Sequence, residues 1–225
     1  MKVILYGATG MVGQGVLREC LLDPRVDAVL SVARRATGQQ HPKLKELVRA
    51  DLMDYSGAEE QLAGYDACFF TLGVSSAGMN EADYTRVTYD LTMAAAKALA
   101  KASPNLTFVF VSGAGTDGTE KGRSMWARVK GKTENALLAM PFKAAFMFRP
   151  GLIQPLHGIT SRTRGYRIFY AVAGWWLIPL VRALAPNSIT TTEVMGRAMI
   201  GVAQNGAPKK VLDPADINAA AASPG

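Results

Sequence analysis

Residues 1–20 read MKVILYGATGMVGQGVLREC, and this stretch decides the fold. Val3, Ile4, Leu5 and Tyr6 form a short apolar run. Gly7, Gly10 and Gly13 follow at intervals of three, and apolar residues then recur four apart at Val12, Val16 and Cys20. A short apolar run read against a following 3.6-residue period predicts a strand, a tight glycine turn and a helix over Met11–Asp23.

The same alternation continues outward from this unit. AVLSVAR (28–34), ELVRADL (46–52), DACFFTLG (66–73), LTFVFVSGAG (106–115) and FKAAFMFRPG (142–151) read as strands. A short helix is predicted over Ser56–Leu62, a long one from Glu81 to Ser103 and another over Ser124–Met140. Strands alternating with helices predict a parallel sheet covered on both faces, and right-handed crossovers make it a doubly wound, Rossmann-type α/β fold. FVFV and ACFF are apolar at every position, as strands buried on both sides must be.

After Pro150 the rhythm changes. A loop, GLIQPLHGITSRTRG, leads into IFYAVAGWWLIPLV (168–181), which has 14 residues, four aromatics and no charge. That is too short to span a bilayer. It roofs an apolar pocket, forms a dimer contact or lies on a membrane surface, in that order of preference. A helix with its N-cap near Thr192 then runs to Gly206, and a short strand KKVL (209–212) follows. The expected organisation is one domain over 1–225, with 151–217 as a helical cap on the substrate side and 218–225 as a frayed tail.

Composition narrows the function. A 225-residue chain with 49% hydrophobic and 19% charged residues has enough apolar material for a core. Its mean hydropathy is +0.09. Cys20 and Cys68 fall in a predicted helix and strand and read as small buried hydrophobes, which with the lack of a leader points to a reducing, cytoplasmic setting. The net charge of +7 is scattered over strand ends and loops, a pattern suited to phosphate-bearing small molecules and not to nucleic acid. A small-molecule substrate and a monomer or homodimer are therefore expected.

The G-x-x-G-x-x-G spacing of GATGMVG, between a strand and a helix, lets a pyrophosphate approach backbone amides at a helix N-terminus. Gly7, Thr9, Gly10, Met11, Val12 and Gly13 are the residues expected to meet it. An NAD site usually carries an acid at the end of the second strand. Here that strand ends SVARR, and Arg34 and Arg35 would instead grip a 2′-phosphate, favouring NADP(H) over NAD(H); a solvated surface pair is the plainer alternative. Asp51 and Leu52, after the third strand, and Leu72 and Gly73, after the fourth, are placed to meet the adenosine.

These motifs, taken in order with ADL (50–52), TLGVSS (71–76), FVFVSGAG, VKGKTE and FRPG, resemble short-chain dehydrogenases of the atypical, epimerase-like branch. Within that branch the chain is most similar to the NAD(P)H-binding group that includes the Tat-interactive oxidoreductase-like protein. The resemblance covers roughly Met1–Ile217. It implies an oxidoreductase with a catalytic Ser, Tyr and Lys, in which the Lys lowers the Tyr pKa and holds the nicotinamide ribose. Ser112 matches the Ser and Lys130 the Lys. The Tyr position, one helical turn before Lys130, holds Trp126, whose indole N–H has no useful acidity near neutral pH. Trp126 is then a wall of the substrate site, and the proton donor is elsewhere or lost. Tyr84, Tyr89, Tyr166 and Tyr170 are candidates that spacing does not separate. Pro150 and Gly151 match the segment that passes the nicotinamide. His157 lies on the substrate side as a potential acid or base, and Arg162, Arg164 and Arg167 could meet an anionic substrate. A catalytically silent cofactor-binding sensor is the alternative function.

Overall fold

The computed structural model describes residues 1–160, 178, 181, 184 and 188–222. Strands β1 (Lys2–Tyr6), β2 (Ala28–Ala33), β3 (Leu44–Val48), β4 (Ala67–Phe70), β5 (Thr107–Val111), β6 (Ala144–Phe148) and, late in the chain, β9 (Val211–Leu212) form one parallel sheet in the order β3-β2-β1-β4-β5-β6-β9. The predicted doubly wound Rossmann architecture is what forms. The strand order reverses between β1 and β4, and a crevice opens at the carboxyl ends of strands at such a point.

The β1 residues alternate between two cores. Ile4 and Tyr6 join Val32, Phe70, Phe108 and Phe110 on one face, beneath helices α3 (Leu91–Ala102) and α4 (Met125–Leu138). Val3 and Leu5 join Phe69, Val109 and Phe148 on the other, against α1 (Met11–Leu22) and α5 (Thr192–Asn205). Cys20 and Cys68 are buried and free, as expected. Burial pushes the thiols up, Cys20 beyond the range in which it would ionise.

Several predicted boundaries move. The strand expected over 46–52 runs over Leu44–Val48, because Arg49 turns to bond the carbonyls of Asp54 and Ser56. The helix expected over Ser56–Leu62 is a series of turns between Gly57 and Gly64, both at positive φ. The long helix starting at Glu81 is α2 (Glu81–Thr85), one π-helical turn (Arg86–Asp90) and α3. The N-cap of α5 is Thr191, one residue earlier than expected; its hydroxyl accepts from Val194 N at 3.0 Å.

Two short parallel strands, β7 (Leu152–Gln154) and β8 (Ile189–Thr191), lie within stretches read from sequence as loop and turn. The tail is not frayed through 222. Pro214–Ala222 form α6, with Ile217 buried and Asn218 Nδ2 donating to Ile189 O at 3.0 Å. An alanine run has the highest helix propensity, and α5 supplies the surface that makes a short helix hold. Tyr166, Tyr170, Arg162, Arg164, Arg167 and most of 168–181 lie outside the described residues.

Candidate functional site

The turn after β1 is shaped by contacts that leave no room for side chains. Gly7 has φ +87°, and a Cβ there would lie 2.7 Å from both Leu72 N and Thr71 Oγ1. Thr71 is fixed in turn: its N–H and hydroxyl both donate to Tyr6 O, at 3.0 and 2.7 Å. A Cβ on Gly13 would fall 1.9 Å from the Gly7 carbonyl oxygen, so α1 seats directly on the turn. The helix begins at Gly10 with no side-chain cap. Its first-turn amides, those of Met11, Val12 and Gly13, have no intrahelical acceptor and face the turn that Thr9 and Gly10 complete.

Beside this turn is a cleft of about 460 Å³ lined by Gly7, Thr9, Val32, Ala33, Arg34, Arg35, Ala50, Leu52 and Leu72. It brings together the glycine turn, the arginine pair, Leu52 and Leu72. Arg34 and Arg35 are exposed. Among the described residues no carboxylate lines the cleft. Asp51 and Gly73 are exposed and outside its lining; Asp51 Oδ1 accepts from Met53 N at 2.8 Å, closing the local turn. The uncapped helix, the glycine turn and a cleft of this size fit a dinucleotide.

The second part of the site lies along α4. Trp126, Lys130 and Glu134 stand four apart on one face of this helix, toward the end of β5. The Trp126 ring covers the loop after β5, so that a Cβ on Gly115 would sit 3.5 Å from it. Lys130 Nζ donates to Ser112 O at 2.9 Å and Val111 O at 3.3 Å, 5.6 Å from the centre of the Phe110 ring. Burial of the ammonium lowers the Lys130 pKa to about 8, with the Glu134 carboxylate pulling the other way.

Ser112 Oγ donates to Glu134 Oε1 at 2.5 Å and lies 3.1 Å from Phe148 O. Glu134 is 1% exposed and carries a forked ion pair from Arg149, with Nη2 at 2.5 Å and Nε at 3.1 Å. Sequence reasoning missed Glu134. The available signal was its place four residues after Lys130, where the same helix face continues. Pro150 accepts from Ala114 N at 2.8 Å, which ties the Arg-Pro-Gly segment to the loop after β5. Gly151 packs against Ser188, the residue before β8, where a Cβ would meet the Ser188 carbonyl oxygen at 2.4 Å.

His157 is held away from the glycine cleft. Its ring bonds Glu193 Oε2 at 2.7 Å in the first turn of α5, and this contact is the main reason the Glu193 carboxyl sits below the usual range. Tyr84 is buried on α2, and Tyr89 has the Lys132 ammonium 4.5 Å over its ring. Among the described residues no cluster of three His, Cys, Asp or Glu could hold a metal, and no helix is long and apolar enough to cross a membrane.

Comparison with known proteins decides the family. The family described as NAD(P)H-binding matches residues 7–140. This chain belongs to it. The protein named fmp52-2, mitochondrial, of Aspergillus oryzae is 31% identical over 151 residues, covering 66% of each chain. Protein FMP52, mitochondrial, of Chaetomium globosum is 29% identical and matches 67% of this chain and 65% of its own length. The chain thus spans slightly under two thirds of these relatives. Their names overturn the cytoplasmic expectation, since they assign the relatives to mitochondria. Buried, unreactive thiols do not distinguish one reducing compartment from another.

Solved structures confirm the fold. MoeE5 in complex with UDP-glucose and NAD superposes with a TM-score of 0.67 at 17% identity, covering 95% of this chain and 75% of that one. A UDP-N-acetylglucosamine 4-epimerase from Methanobrevibacter ruminantium gives 0.66 at 15%, covering 93% and 74%. The chain is therefore an NAD(P)H-binding domain with a Rossmann fold.

Proposed function

We propose that this chain is an NADP(H)-preferring oxidoreductase acting on an apolar, carbonyl-type small molecule. The observation that carries the cofactor preference is the cleft wall at the end of β2, which offers Arg34 and Arg35 and no carboxylate. Guanidinium forks favour a 2′-phosphate, whereas the ribose hydroxyls of NAD call for an acid. The motif order from GATGMVG to FRPG supports kinship with the Tat-interactive oxidoreductase-like group. The charge-free, aromatic-rich stretch at 168–181 supports an apolar substrate.

The first-turn amides of α1 would hold the pyrophosphate, Arg34 and Arg35 the 2′-phosphate, and Leu52 and Leu72 the adenosine. The bound nicotinamide supplies or takes up a hydride. Ser112, Trp126 and Lys130 form the side of the site that orients the substrate. Fluorescence titration should show NADPH binding at least tenfold tighter than NADH. The double variant Arg34→Ala/Arg35→Ala should lose that preference with NADH affinity unchanged, since one charge-assisted bond is worth about 1.5–3 kcal/mol. Equal affinities in the wild-type protein would refute the preference.

Trp126 favours a second reading, a cofactor-binding sensor without turnover, because an indole occupies the phenol position. Trp126→Tyr separates the two. Carbonyl reduction that arises only in the variant supports the sensor, and reduction already present in the wild type excludes it.

A further inference from the structure

Resting on the oxidoreductase reading above, we propose that the Lys130 amine is itself the proton-exchanging group of this site, with Ser112 acting only as a hydrogen-bond acceptor toward the substrate. The first support is a count of protons. Ser112 has one hydroxyl proton, and both groups its oxygen meets inside the protein, the Glu134 carboxylate at 2.5 Å and the Phe148 carbonyl at 3.1 Å, only accept. The forked pair from Arg149 holds the Glu134 carboxylate in place. The Ser112 proton is therefore committed inward, and its remaining lone pair is what a ligand meets. Trp126 can donate its indole hydrogen but cannot release it.

Lys130 differs in kind. Its ammonium has three protons, of which two are donated to the Val111 and Ser112 carbonyls at the end of β5. The third is free to leave. After it has left, the neutral amine keeps both carbonyl bonds with its two remaining protons, so neither protonation state disturbs the anchor. The charged group that acts on the amine is Glu134, one turn along α4, whose carboxylate is itself paired with Arg149. Burial outweighs the carboxylate and leaves the amine able to exchange a proton near physiological pH, the condition for an effective acid–base group.

The step balances simply. A reduced nicotinamide held in the cleft would supply hydride to the carbonyl carbon, and the π electron pair would pass to the carbonyl oxygen. That oxygen takes a proton from Lys130 Nζ, directly or through one water. The N–H bonding pair stays on nitrogen, and solvent water returns the proton to the amine. This departs from the role implied by the family resemblance, in which the lysine only tunes a tyrosine and holds a ribose.

The test begins with a readout that needs no cofactor and no turnover. Acetic anhydride labelling of the folded protein from pH 6.5 to 10.5, read peptide by peptide by mass spectrometry, should give a Lys130 midpoint near pH 8. Glu134→Gln should move it lower, because the carboxylate holds it up. A midpoint at the ordinary lysine value of 10.5 overturns the proposal. The second arm uses Lys130→Arg, which keeps the cation and can reach the same carbonyls but does not release a proton near neutrality. NADPH affinity should stay within about threefold while turnover on a carbonyl panel falls at least 100-fold. Wild-type protein that fails to bind either nucleotide overturns the oxidoreductase reading itself. Wild-type protein that binds and turns over, with the Lys130→Arg variant matching its kcat, overturns the Lys130 assignment alone.

Discussion

Gly13→Ala is expected to remove nucleotide binding, with at least a 100-fold loss of NADPH affinity. The methyl would be built 1.9 Å from the Gly7 carbonyl oxygen, and the nearest atoms are backbone, which cannot swing aside. Relief requires α1 to lift from the turn after β1. That displaces the amides of Met11, Val12 and Gly13, which are proposed to hold the pyrophosphate. The opposite side of α1 packs on α5, where Gly15 lies against Thr192, so the lift also disturbs the α1–α5 contact. Overpacking of this kind costs about 1–3 kcal/mol. Fluorescence titration and thermal denaturation together check the result. Near-normal affinity with unchanged Tm would mean that the turn does not hold the phosphates.

The second large effect concerns stability. Glu134→Ala leaves the Arg149 guanidinium without its forked partner and the Ser112 hydroxyl without its short bond. Breaking a buried pair by removing one member costs about 3–5 kcal/mol. The lower end applies, since the Arg149 side chain keeps 21% exposure and can recover some solvent. Urea denaturation should show a loss of about 3 kcal/mol, and Tm should fall by roughly 6–12 °C for a chain of this size. The double variant Glu134→Ala/Arg149→Ala should be more stable than the single one, because no charge is then stranded. A loss below 1 kcal/mol would show that Glu134 does not anchor Arg149 and Ser112.

These two residues mark how far the sequence reaches into the site. Gly13 is legible because its constraint is local: three glycines between a strand run and a helical period leave little else for the segment to be. Glu134 is not legible in the same way. Its position relative to Lys130 follows from helical geometry, but its partners lie 22 residues before it and 15 after it. Only the pairing of β5 with β6 brings Ser112 and Arg149 to the same carboxylate. The same limit explains β7 and β8, which are three residues each and pair across 37 positions of register. Strands that short carry no period of their own. The tail helix was missed for a related reason, since an alanine run reads as frayed until α5 is there to receive it.

By itself, then, the sequence determined the doubly wound sheet, the glycine turn at its switch point, the arginine pair where an acid is usual and the tryptophan one turn before Lys130. Each of these is written in neighbouring residues, through periodicity, turn chemistry or helical spacing. The tertiary structure alone decided that the Ser112 proton is committed inward to Glu134, that Arg149 secures that carboxylate, and that the Lys130 amine is buried against two carbonyls. Those outcomes depend on which strand ends and helix faces meet, and burial and hydrogen-bond direction are properties of the meeting and not of any one segment.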